Sequence, residues 1–438
     1  MSGGESGGVL KKAVRALHRL VHPQYAEERA RLDDIRRAVK IAAEEQQKQI
    51  TRLAREMSGL ASRIDGLARN RDLQSLDRRV EWLREASARQ HRTLTQALKF
   101  AAWDEELRIE ERRLVHRLER LRGTSRPILI GPWSGEVGFE LLYWIPFVTW
   151  ALAHIDAAPE RVVVVSRGGP QSWYAHLGGR YADLLTLVDI DRFRAHTTEH
   201  KKQRTMRPFD REMVRAAIAK LDLDRPVLLH PGLMYRLFTP YWKQKATVLR
   251  VEAYTKHQRI APPAPPELDG RLPKDYVAVR FYFSSCFPDT PENRAFADQT
   301  VRGLAESSHV VLLNTPFRVD DHADHAAKGS PRVHTVDDLM TPARNLDVQT
   351  AVIAGAKAFV GTYGGYSYLA PLCGVPSLAF YSRREEFFAH HLQLADRVFR
   401  AMNTADLVPI DVRDAEVLGL ALGARLRSAD LGGAGLLR

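Results

Sequence analysis

The chain has 438 residues, 45% of them hydrophobic and 27% charged, a globular composition with length for two or three domains, which excludes a disordered or collagen-like protein. Its apolar runs, such as 162–165 and 310–313, fall far short of the roughly 20 residues a spanning helix needs. The formal net charge is +12, and residues 1–126 hold 28 of the 65 Lys and Arg but 19 of the 53 Asp and Glu, so the basic excess belongs to the N-terminal part.

The opening MSGGESGG leads into Lys11 and Lys12 and not into the apolar core of a secretory signal. Cys286 and Cys373 are the only cysteines, which excludes a disulfide framework or a cysteine-rich zinc site and fits a reducing compartment. The expected location is cytoplasmic, with a peripheral place on the inner face of the plasma membrane open to it. Residues 1–25 contain a short amphipathic helix, with Leu10, Val14, Leu17 and Val21 on one face, Lys11, Lys12, Arg15 and Arg19 around it, and Pro23 ending it. Such a helix suits an anionic membrane surface or a capping role on the element that follows.

Residues 26–122 read as an α-helical coiled-coil arm. Leu32, Ile35, Val39 and Ala42, then Ile50, Leu53, Met57, Leu60, Ile64 and Leu67, alternate in steps of three and four; Gln46 marks a stutter between the two stretches. The arm predicts a homo-oligomer, with an antiparallel bundle inside one chain as the alternative. Its acidic residues are interspersed with the basic ones and it lacks aromatic interleaving, so nucleic acid is not the expected partner.

From Gly123 the periodicity turns strand-like. Short apolar runs at 127–130, 161–166 and 226–230 alternate with helical patterns and define a first α/β half over 123–260. The proline-rich stretch 261–274 reads as a linker. A second half, 275–438, has strands at 276–282, 309–313, 358–360 and 377–380. Two doubly wound halves leave a ligand cleft between the carboxyl ends of their strands.

The most informative stretch is AKAFVGTYGGYSYLAPLCGVPSLAFYS, residues 356–382. A strand ends near Gly361, and Gly364 and Gly365 let a ligand approach the backbone. A helix begins near Ser367, with Tyr366 and Tyr368 beside it, and its free N–H groups suit a phosphate. Pro371 places that helix start close by. A tight turn needing glycine for its own sake is the competing reading.

This segment resembles the donor-binding loop of heptosyltransferase-like glycosyltransferases of the GT-B fold, roughly Asp-Thr-Gly-x-Ser-His-Leu-Ala-x-x-x-Gly-Val-Pro. Gly365, Ser367, Leu369, Ala370, Gly374, Val375 and Pro376 match, while Tyr363 and Tyr368 stand where that pattern has its acid and its His. In the same family a Gly-Asp-Val element after the first strand carries a catalytic base, and Gly135-Glu136-Val137 is similar to it. The resemblance implies that Glu136 takes the proton of an acceptor hydroxyl, with Glu140 one helical turn on as the second candidate; capping the following helix is the alternative for Glu136. Arg280, near the carboxyl end of an otherwise apolar strand, resembles the donor-phosphate arginine of fucosyltransferase-like GT-B enzymes, and an internal salt bridge is its other reading.

Three further groups are noted. Asp320, Asp321, His322, Asp324 and His325 match no defensible metal spacing and read as a polar loop. Tyr235, Arg236, Tyr241, Trp242, Lys243 and Lys245 suit either an acceptor wall or packing, and Asn345 and Gln349 suit a base or ribose. The expectation is an α/β protein of two Rossmann-like halves behind a coiled-coil arm. The resemblance implies a metal-independent, inverting glycosyltransferase with no resident cofactor, moving a sugar from a nucleotide-diphosphate donor to a cell-surface polysaccharide or glycolipid. A polysaccharide pyruvyltransferase-like enzyme and a non-catalytic coiled-coil scaffold are the alternatives.

Overall fold

The computed structural model describes residues 111–415 apart from 201, 264, 320–321 and 326–329, together with 108–109 and scattered helical positions between 44 and 87. The chain divides into two units, Met1–Glu105 and Glu106–Arg438. The amphipathic segment at 9–21 lies outside the described residues, as does most of the heptad seam. The described positions of the first unit are helical and carry surface pairs such as Arg52–Glu56 at i,i+4.

The second unit opens with helix α1 over 111–119, where Leu114, Leu118 and, just beyond its end, Leu121 are buried in the core. That i, i+4, i+7 spacing is an apolar stripe, so the last turns assigned to the arm by periodicity pack on the α/β body instead.

The first half is a four-stranded parallel sheet. Strands β1 (Ile128–Ile130), β2 (Val162–Ser166), β3 (Arg180–Asp183) and β4 (Val227–Leu229) lie in the order β3-β2-β1-β4. β1 and β2 are buried throughout, which explains their unbroken apolar sequence. Between β1 and β2 runs α2, continuous through Val137–Phe139, a π-helical turn Glu140–Trp144, and Ile145–His154. Pro146 cannot donate to the Leu142 carbonyl, and His257 Nε2 donates to it instead at 3.1 Å. Burial holds the His257 imidazole down to about 4. Helices α3 (Ile190–Glu199), α4 (Pro208–Lys220), α5 (Gly232–Trp242) and α6 (Val248–Glu252) complete this half.

The proline-rich connection is packed against the body. Ile260 and Leu268 are buried, and the Ile260 N–H donates to Leu372 O at 3.0 Å. The second half contains β5 (Tyr276–Arg280), β6 (Tyr282–Phe283), α7 (Pro291–Ser307), β7 (His309–Leu312), β8 (Ala323–Asp324) and β9 (Val333–Thr335). It continues through α8 (Asn345–Ala354), β10 (Ala358–Thr362), α9 (Gly365–Leu372), β11 (Ser377–Tyr381), α10 (Ala389–Ala401) and β12 (Leu407–Asp411). Its six-stranded parallel sheet has the order β12-β11-β10-β5-β7-β9. The order reverses between β5 and β10, and such switch points are where open α/β sheets bind ligands, outside the carboxyl ends of the strands. Arg280 ends β5 and Thr362 ends β10, so the sequence-selected segments flank the reversal.

Two corrections apply to α9. It begins at Gly365, two residues before Ser367, and Pro371 lies in its last turn and not near its start. The helix ends one residue after Pro371, so the missing N–H removes only one late hydrogen bond.

The halves are joined by buried polar contacts. Trp173 Nε1 donates to Thr350 Oγ1 at 2.9 Å, the Leu346 N–H donates to Gly168 O at 2.8 Å, and Tyr143 Oη shares a hydrogen bond with His391 Nδ1 at 2.6 Å.

Candidate active site

A cavity of about 700 Å³ lies between the halves, and its wall includes Glu136, Arg280, Gly364, Gly365, Tyr366 and Tyr368. Six of the eight sequence-selected site residues therefore meet in one place. The two others, Glu140 and Ser367, are fully buried and are not part of the cavity wall.

Glu136 occupies the N-cap position of α2 with extended backbone, and its side chain makes no capping hydrogen bond. Its carboxylate is thus not spent on its own helix. Glu140 accepts from Ser166 Oγ and from Tyr174 Oη, the latter at 2.6 Å. Burial lifts its carboxyl from an ordinary 4.5 to about 7, against the opposing pull of Arg167 and those two hydrogen bonds. It lies in the π-helical turn, a feature that often accompanies functional sites. Here Glu140 ties α2 to the carboxyl end of β2 and does not face the cavity.

Arg280 forms the internal salt bridge that is one of its two readings. It forms a two-point pair with Asp324, Nε to Oδ1 at 2.9 Å and Nη2 to Oδ2 at 3.2 Å. Asp324 also accepts from the Thr315 N–H at 2.8 Å, which fixes the pair to the β7–β8 connection. The guanidinium lies 4.2 Å from the centre of the Tyr366 ring, a cation–π contact, and Tyr366 Oη in turn donates to Gln349 Oε1 at 2.7 Å. Arg280 is internally paired and remains on the cavity wall.

At the start of α9, Gly364 N–H donates to Ser367 Oγ at 3.1 Å while Ser367 Oγ donates to Gly364 O at 2.6 Å. Ser367 is therefore a structural cap, and the cavity is faced by Gly364, Gly365 and Tyr366 instead. A side chain at Gly364 would overlap the Tyr282 hydroxyl, so glycine is required there by close approach. Tyr368 Oη donates to Tyr363 Oη at 2.6 Å. These are the two tyrosines that replace the acid and His of the resembled loop, and they form a hydrogen-bonded pair on the wall.

Of the remaining groups, Asp324 is the partner of Arg280, His322 faces the cavity beside the Tyr282 ring, and His325 Nε2 meets Asp298 Oδ1 at 2.9 Å; Asp320 and Asp321 lie outside the described residues. Among the described residues no group of three or more His, Cys, Asp or Glu is placed to hold a metal ion. Tyr235 stacks on Phe139 and Trp242 meets the same ring edge-on, so the aromatic stretch is packing and not wall. Asn345 reaches the cavity, whereas Gln349 is fully buried behind Tyr366.

Among the wall residues that sequence reading missed are three with titratable side chains. Arg167 directly follows β2, Lys202 lies after α3, and His391 opens α10. A cation next to a buried strand's carboxyl end was a visible signal for Arg167; the other two sit in unpatterned segments.

The fold and the site together define a protein of two parallel α/β halves with a polar, aromatic-walled cleft at the carboxyl edges of their sheets. No family model and no curated protein matches the chain. Among solved structures it is similar to the iron-containing dodecameric glycosyltransferase TibC from enterotoxigenic E. coli H10407, at 12% identity and a TM-score of 0.33. The match spans 60% of this chain and 60% of TibC. It is also similar to a family 9 glycosyltransferase from Veillonella parvula DSM 2008, at 13% identity and a TM-score of 0.36, over 68% of this chain and 89% of that one. A third is E. coli ADP-heptose LPS heptosyltransferase II, at 13% identity and a TM-score of 0.36, over 63% and 97%. No described helix is long and apolar enough to cross a membrane.

Proposed function

We propose that the protein is a glycosyltransferase that moves a sugar from a nucleotide-diphosphate donor to a glycan or lipid-linked glycan acceptor. The observation that carries this reading is the convergence on one cavity of Glu136 from the first half with Arg280 and the Gly364–Gly365 turn from the second. Arg280 and the N-terminus of α9 stabilise the departing diphosphate, a charge that otherwise calls for a metal ion. Glu136 takes the proton from the acceptor hydroxyl as it attacks the anomeric carbon, which gives inversion in a single displacement. The heptad seam that runs from Leu32 to Leu67 makes the enzyme an oligomer, and the basic segment before it serves attachment to an anionic membrane face.

Calorimetry with UDP, GDP and ADP, and with CMP as the monophosphate control, tests the reading in the absence of added metal. The expected result is selective binding of one diphosphate, weakened in Arg280→Lys and Arg280→Ala. Failure of every nucleotide to bind the wild type overturns it, and turnover of phosphoenolpyruvate would favour a pyruvyl transferase.

A further inference from the structure

Two cations on the first-half wall have no carboxylate within ion-pair distance among the described residues. Arg167 is 4% exposed and faces the cavity. Its Nη2 donates to Gly135 O at 2.9 Å, next to Glu136, and its Nε has no hydrogen-bond partner among the described residues. Glu140 and Asp183 are close enough to feel its charge, yet both are engaged elsewhere: Glu140 by Ser166 and Tyr174, Asp183 by the Gly169 and Leu185 N–H groups and Tyr181 Oη.

Lys202, an exposed residue, also lines the cavity, with Nζ 4.8 Å from the centre of the Phe139 ring. Partial desolvation lowers its pKa, with Glu136 acting in the opposite direction. Its backbone is fixed by the next residue. Gln203 is buried, accepts from the Ser134 N–H at 2.9 Å and donates to Pro132 O at 2.9 Å and to Asp210 Oδ1 at 3.0 Å. The turn that carries Glu136 is therefore tied on one side to Arg167 and on the other to the neighbour of Lys202.

Withdrawing a cation from water is unfavourable unless a counter-charge meets it. Glu140 and Asp183 near Arg167 and Glu136 near Lys202 supply part of it, and the buried Arg167 Nε, without a partner among the described residues, keeps a hydrogen bond for a ligand. We propose that Arg167 and Lys202 form an oxyanion subsite beside Glu136, taking a carboxylate or phosphate of the substrate and so deciding which hydroxyl is presented to the Glu136 carboxylate. This role rests on the transferase reading, but the anion site itself needs no nucleotide to be detected. Its oxyanion has two sources, an acidic or phosphorylated acceptor and the donor's own diphosphate.

The test titrates inorganic phosphate, glucuronate and glucose into the full-length protein, with and without saturating nucleoside diphosphate, for the wild type, Arg167→Gln and Lys202→Gln. The expected result is saturable binding of phosphate or glucuronate but not glucose, weakened about ten-fold or more in each variant. If anion binding persists beside bound nucleotide, the acceptor is the source. If nucleotide displaces the anion and itself binds about ten-fold more weakly to both variants, the source is the donor phosphate. Lack of saturable anion binding, with nucleotide affinity within about two-fold of wild type in both variants, overturns the proposal. Anion binding intact in a wild type that binds no nucleotide sinks the transferase reading and leaves the anion site standing. Lys202 is exposed, so Lys202→Gln decides the matter if Arg167→Gln fails to fold.

Discussion

Gly365 packs against Val137 with no room for a side chain between them: a Cβ on Gly365 would lie 2.6 Å from Val137 Cβ and 2.8 Å from the Gly138 N. The loop selected for the donor thus touches the turn that carries the candidate base. Gly365→Ala is expected to force the two helix starts apart and to lower stability by about 1–3 kcal/mol, as overpacking does. Chemical denaturation of the variant checks this, and an unchanged midpoint contradicts the contact.

Arg280 and Asp324 are both largely buried, with side chains 10% and 11% exposed. Asp324→Ala leaves the guanidinium without its two-point partner, and the expected loss is about 3 kcal/mol, the scale for breaking a buried pair. A variant that melts with the wild type would show that the pair is screened by water.

Tyr366 gives Arg280 an aromatic face, and its hydroxyl is anchored on Gln349. Tyr366→Leu is expected to weaken nucleotide-diphosphate binding about five- to thirty-fold, equivalent to roughly 1–2 kcal/mol of cation–π and orienting contact. Tyr366→Phe keeps the ring and costs less. Equal affinities for the two variants would remove the ring from the account.

The Glu140 carboxyl titrates at about 7 in the folded protein against an ordinary 4.5. Between these values the folded state holds a proton that the unfolded chain releases, so stability is full below about 4.5 and falls as pH rises to about 7. Asp183, raised by burial from 3.8 to about 6, acts with the same sign over its own window. Glu140→Gln should flatten this decline, by at most about 3 kcal/mol between pH 5 and 8. Urea titrations across that range provide the measurement, and identical slopes in variant and wild type would contradict it.

Removing residues 1–105 leaves α1, whose leucines belong to the α/β core. The shortened chain is expected to run as a monomer while the full chain runs as an oligomer, because the heptad seam lies in the removed part. Light scattering on both reads the mass directly, and equal subunit numbers would place the interface elsewhere.

Much of the site was legible from local chemistry. The Gly364–Gly365 turn, Arg280 at a strand end and Glu136 after the first strand each carry a signal within a few residues, because strand-to-helix turns have local rules. Glu140 and Ser367 carried the same signals and proved structural: whether a polar group four residues into a helix faces a cleft or a neighbouring strand depends on which way that helix is rotated by its packing. The short strands β3, β9 and β12 also escaped, since RYAD and VHT lack an apolar pattern and the proline in LVPID argues against a strand; all three lie at sheet edges.

By itself the sequence determined the α/β class, the positions of the buried parallel strands and the glycine turn, all consequences of hydrophobic periodicity and backbone freedom over a dozen residues or fewer. The tertiary structure alone decided that Glu136 and Arg280 share a cavity, that Asp324 pairs with the arginine, and that Arg167 and Lys202 join them. These residues are far apart along the chain, and only the order of strands in each sheet and the packing of one half on the other brings their side chains within reach.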